Sequence, residues 1–151
     1  MRTFVLMIAI LTTACVENVP CEIVQLEESP NRIPIQIAID PTDSMARHIV
    51  DDSIELLNTT TTVAVASPDN IVPDVVVTIA GLSVLGTTDV RISYDMVMED
   101  TTRLSIQLNE EVAEDRPTAV SVVVSAIARH TFGFDGVVAT PECVGYMTES
   151  M

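Results

Sequence analysis

The sequence predicts an α+β domain, a twisted mixed β-sheet carrying two main helices. Three observations lead there. Isoleucines fall at every second position over residues 33–39, and Leu104, Ile106 and Leu108 alternate with Arg103, Ser105 and Gln107, the period of half-buried strands. Over residues 44–57 the period changes, with Met45, Ile49, Val50, Ile54 and Leu57 forming one helical stripe. A second helical spacing joins Val120, Val123, Val124, Ile127, Thr131 and Phe134. The rival fold is an all-β sandwich, because valines favour strands and residues 119–128 contain several. The small residues Ser121, Ser125, Ala126 and Ala128, together with the period, favour the helix.

In chain order, Pro34 suggests an edge position or the start of the first strand, and Asp40-Pro41 ends it. Thr42 and Asp43 offer N-cap oxygens to the first helix. Asn58 and the threonines at 59–62 stop that helix. His48 lies beside the apolar stripe and reads as a surface or boundary residue. Residues 63–66 and 75–80 are the next strands, and the second is apolar on both faces, as an internal strand is. A loop at 81–86 precedes strands at 89–96 and 103–108. Residues 109–116 form an acidic loop, and Pro117 and Thr118 start the second long helix.

The chain has 151 residues, enough for one domain with a real core. Hydrophobic residues make up 48% and aromatic residues 3%, so the core is built from Val, Ile, Leu, Met and Ala. The formal charge is −15, from 22 acidic and 7 basic residues, and all of the basic residues are Arg. An acidic surface of this kind repels phosphate backbones and anionic headgroups, which argues against a nucleic-acid partner. There is no Gly-rich phosphate loop and no GxSxG motif. The acidic pairs Asp51-Asp52, Glu99-Asp100 and Glu110-Glu111 lack the alternating oxygen spacing of a Ca²⁺ loop and read as solvated faces.

Residues 1–15 carry Arg2, an apolar run over 4–11, and small residues up to Cys15, the pattern of a short export signal. Leu11-Thr12-Thr13-Ala14-Cys15 resembles the lipobox of bacterial lipoproteins, with Thr12 in place of the usual leucine. That resemblance implies lipidation at Cys15, a bacterial cell-envelope location, and membrane attachment through the N-terminal lipid only. The alternative is an ordinary cleaved signal and a secreted or periplasmic protein. With Cys15 lipidated, Cys21 and Cys143 remain as a pair for a disulfide in an exported chain. Residues 16–32 are acidic and contain Pro20 and Pro30, so they read as a tether, with a short strand at 22–26. Residues 33–151 form the globular domain.

The order of elements, the run Val84-Leu85-Gly86, and the strand LSIQL ahead of the second helix resemble the matrixin branch of the metzincin zinc proteases. Such proteins run a strand into a long helix, then a twisted sheet, then a helix carrying HExxHxxGxxH, then a Met-turn. On residues 126–136, His130 matches the second zinc ligand and Gly133 the turning glycine. Ala126 stands at the first ligand, Ile127 at the general base, and Gly136 at the third ligand. The other register, with His130 as first ligand, puts Thr131, Phe134, Val137 and Thr140 at the remaining positions. Met147 stands where a Met-turn methionine belongs. One imidazole with no carboxylate beside it makes neither a zinc site nor an activated water. The resemblance therefore implies a scaffold without catalysis, no catalytic residues, no metal ligand set beyond the relic position His130, and no cofactor. A protein or peptide partner would bind along the old cleft, and its identity is not encoded here. The alternatives are an active zinc-dependent peptidase with an atypical site, in which zinc is the cofactor, and a structural or adhesion lipoprotein built as a β-sandwich.

Overall fold

The computed structural model describes residues 21–27, 36–67, 73–81, 89–98 and 101–149. Cys15 and the export signal, most of the tether, Pro34 and the Val84-Leu85-Gly86 run lie outside the described residues. The elements in order are β1 (Gln36–Pro41), α1 (Ser44–Thr60), β2 (Ala64–Ala66), β3 (Val75–Ala80), β4 (Val90–Met98), β5 (Thr101–Asn109), α2 (Glu110–Glu114), α3 (Arg116–Phe132) and α4 (Pro141–Glu149). The five strands form one mixed sheet in the order β2-β1-β3-β5-β4. Neighbours are parallel except β4, which runs antiparallel to β5 at one end of the sheet. The fold is α+β, and residues 119–128 are helical, which overturns the sandwich alternative.

The core follows from the register. Val75 pairs with Leu104, Val77 with Ile106 and Ile79 with Leu108, so alternate residues of β3 and β5 make one apolar face. Leu104, Ile106 and Leu108 are fully buried there. Helix α1 touches β1, β2 and β3, helix α3 touches β5, and the two helices touch each other. Ile49, Val50 and Leu57 of α1 and Val120, Val123, Val124 and Ile127 of α3 are buried between them. Burying one such side chain contributes about 1.5–3 kcal/mol relative to leaving it in water.

Helix α1 begins where Asp43 accepts a hydrogen bond from Ala46 N at 2.8 Å. Its buried face runs Ala46, Ile49, Val50, Ser53, Leu56, Leu57 and Thr60, while Met45 is 55% exposed. The expected stripe is thus rotated. Ala46 and Ser53 are both fully buried, and Ser53 Oγ meets its own need by donating to Ile49 O at 2.6 Å. The helix also runs past the expected stop, through Thr60. Asn58 instead reaches to β2, where its side chain bonds both the N–H and the C=O of Val65.

Four further expectations are corrected. β1 lies between β2 and β3 and is not an edge strand. The acidic loop at 109–116 contains α2, capped by Asn109 accepting from Val112 N at 2.7 Å, with Glu110 and Glu111 at the positive helix end. Residues 145–147 belong to a further helix, α4, where the resemblance implies a Met-turn. Finally, residues 21–27 form no strand but are packed against the domain where a tether was expected. Leu26 is 7% exposed, Val24 N donates to Val138 O at 3.0 Å, and Leu26 N to Thr60 O at 2.7 Å. The Cys21–Cys143 disulfide, 122 residues apart in sequence, anchors the segment to α4.

Helix α3 is fixed at both ends. Asp115 caps its start, and Pro117 sits in its first turn, where a missing N–H costs nothing. Arg116 holds Asp52 of α1 in a two-point pair, with Nη2 to Oδ1 at 2.7 Å. The hydrogen bond to Asp52 raises the Arg116 pKa above its ordinary value. Gly133 ends the helix in the left-handed region, at φ 68°, which favours glycine.

Candidate functional site

The β4 end of the sheet, which among the described residues has no further strand beside it, and the second half of α3 frame the candidate site. On β4, Val90, Ile92 and Tyr94 pair with Leu108, Ile106 and Leu104 and share their side of the sheet. On β5 that row is sealed. One strand outward, Ile92 is 44% exposed, Tyr94 57% and Met96 78%. The cause is position: α3 packs on β5, and β4 lies beyond its edge.

A pocket of about 220 Å³ opens between this strand and α3. Ile92, Val122, Ser125, Ala126 and Gly136 line it, with Arg129 and Asp135. Arg129 Nη2 and Asp135 Oδ1 are 2.7 Å apart, but their side chains are 66% and 81% exposed, so the pair is worth little in stability. Gly136 leaves a close fit with its neighbour, since a Cβ there would meet the Phe134 ring at 3.0 Å.

The positions singled out in the sequence now have places. Ala126 and Gly136, the first and third ligand positions of the resemblance, line the same pocket. Ile127, at the general-base position, is fully buried in the core. His130 is half-buried in the last turn of α3, its ring centroid 5.1 Å from that of Tyr94 and tilted by 36°. Gly133 ends α3 in the left-handed region. Met147 is not brought to His130. It lies on α4 in a crevice shared with Asp52, Leu56 and Val120, and Val120 precedes His130 on α3 by about 15 Å of helix rise. His48 is exposed on α1. Among the described residues, no group of three or more His, Cys, Asp or Glu is placed to hold a metal ion. Among the same residues no helix is long and apolar enough to cross a membrane.

A β-strand edge with an apolar face beside a shallow apolar pocket suits an extended chain, which can add to the edge and place alternate side chains in the pocket. Ile92, Tyr94 and Met96 fall in the strand expected at 89–96, but their exposure was not readable from the sequence. Protein-family models, curated proteins and solved structures were compared with the chain, and none matches.

Proposed function

We propose that this protein is an exported, lipid-anchored, matrixin-like domain without catalysis, which binds a protein or peptide segment along the groove between β4 and α3. One observation carries the reading: Ala126 and Gly136, the positions where zinc ligands would stand, line one pocket beneath the apolar edge strand. The order of elements supports the scaffold, with a strand, a long helix, a sheet, and a helix closed by Gly133. Buried Ile127 offers no base at the position that needs one. The disulfide fits an oxidising compartment, and the anchor rests on residues 11–15.

The test is hydrogen exchange on β4 in the folded chain, with and without a set of extended peptides. Slowed exchange at Ile92 to Met96 on peptide addition is the expected result. Unchanged β4 amides with every peptide would remove the groove as a binding site. Hydrolysis of the peptides that stops with chelator would bring the zinc peptidase forward instead.

A further inference from the structure

Residues 21–27 are tied to the domain by one covalent bond and few other contacts. Val24 N donates to Val138 O and Leu26 N to Thr60 O, and Gln25 Nε2 makes a long bond to Thr59 O at 3.4 Å. Leu26 is the only buried side chain of the segment, and Cys21 and Ile23 are partly buried against the core. Fixing the backbone of one residue loses about as much free energy as one hydrogen bond gains net of water. Seven residues are fixed here with two backbone bonds, so the Cys21–Cys143 disulfide is what keeps the segment in place.

We propose that this disulfide is a redox latch: a dithiol opens it in the folded protein, residues 21–27 leave the domain, and the pocket between β4 and α3 loosens through Val138. Cys143 is 2% exposed and Cys21 is half-buried, so the reagent meets the bond at Cys21. A thiolate of the dithiol forms a mixed disulfide with Cys21 Sγ. The bond to Cys143 breaks with its electron pair on Cys143 Sγ, which takes a proton. The second thiol of the reagent then displaces Cys21, which is protonated in turn. The protein gains two thiols and the dithiol is oxidised to a disulfide.

Release changes two places. A cleft of about 300 Å³ lies between Gln25, Leu26 and Glu27 on one side and Phe132, Gly133 and Phe134 on the other, and it loses its first wall. The second place is Val138. Its carbonyl accepts from Val24 N, and its own N–H donates at 3.4 Å to the Oγ of Ser125, which lines the pocket between β4 and α3. Val138 thus joins the segment to the proposed binding groove. The effect on that groove rests on the peptide-binding reading above, and the release of residues 21–27 does not.

The experiment treats the full folded chain with dithiothreitol at neutral pH and without denaturant, counts new thiols and follows amide exchange. Two new thiols per chain are expected, with loss of protection at Val24 and Leu26, exchange at Val138 faster by about tenfold or more, and β5 still protected. Reoxidation should restore protection at all three amides. Cys21→Ala with Cys143→Ala should show the opened segment without reductant, and the dithiol should change it no further. A disulfide that yields only in denaturant, or β5 protection lost together with that of Val24 and Leu26, would make the bond a staple of the whole fold and overturn the latch. Two new thiols with Val24 and Leu26 still protected would overturn it as well. Release with Val138 unchanged would overturn the link to the pocket and leave the release standing. If the latch opens and Val138 responds, but no peptide slows exchange on β4 in either redox state, the groove reading falls and the latch does not.

Discussion

Asn58 of α1 holds Val65 of β2 by two hydrogen bonds, its Nδ2 donating to Val65 O and its Oδ1 accepting from Val65 N, both at 3.0 Å. A side-chain amide thus does for the short strand what a further strand would do. Asn58→Ala should destabilise the domain by about 1–3 kcal/mol, since it leaves two backbone groups to find water. Asn58→Asp keeps the acceptor and should cost less. A lower denaturant midpoint at unchanged slope is the readout, and no shift for the alanine variant would mean that water serves Val65 equally well.

The disulfide is a second fixed point. Removing it as Cys21→Ala with Cys143→Ala should cost about 4–5 kcal/mol on the loop-closure estimate for a separation above 100 residues. The loss should also be local. Amide exchange at Val24 and Leu26, which bond Val138 and Thr60, should speed up more than that of β5. Equal acceleration throughout would mean that residues 21–27 unfold only with the whole domain.

Ile127 tests why a general base cannot simply be put back. It is fully buried, so Ile127→Glu places a carboxyl among Val123, Val124 and the sheet. A cost of about 3 kcal/mol or more at neutral pH is expected. Burial raises the folded pKa of such a group above its unfolded value near 4.3, so the penalty is smallest below that value and grows as pH rises towards the folded pKa. Melting temperatures at pH 4 and pH 7 should show a gap between variant and parent that widens with pH. A constant gap would mean that the carboxyl reaches water.

Much of this architecture was legible in the chain because its signals are local. Leu104, Ile106 and Leu108 alternate and are buried together, and Val120, Val123, Val124 and Ile127 keep their helical face. Val75 to Ile79 reads as internal and lies between two strands. What was missed depends on distant partners. Met45 yields the buried face to Ala46, and which side of a helix is covered is decided by tertiary packing. Helix α2 lacks an apolar period, and only its cap Asn109 and the acids of its first turn marked it. Helix α4 holds Gly145 and is secured by Cys143, whose partner lies far away in sequence. At the candidate site Ala126, His130 and Gly136 were all singled out, yet the exposure of Ile92 and Tyr94 was invisible, because a strand does not announce that it ends a sheet.

Gly133 should tolerate little change. An added Cβ meets nothing within 4 Å, so the cost lies wholly in the left-handed backbone, φ 68°. Gly133→Ala should cost about 1 kcal/mol, and Gly133→Asn less. Equal stability of all three forms would mean that the helix end relaxes to another turn.

The most direct test of a metal-free recognition scaffold is the zinc content of the folded chain, purified without chelator and with its disulfide formed. The account predicts a trace far below stoichiometric amounts, unchanged by His130→Ala. Zinc near one per chain that disappears in His130→Ala would show that the imidazole has partners able to hold it, and the recognition reading of the groove would give way to a metal-dependent one.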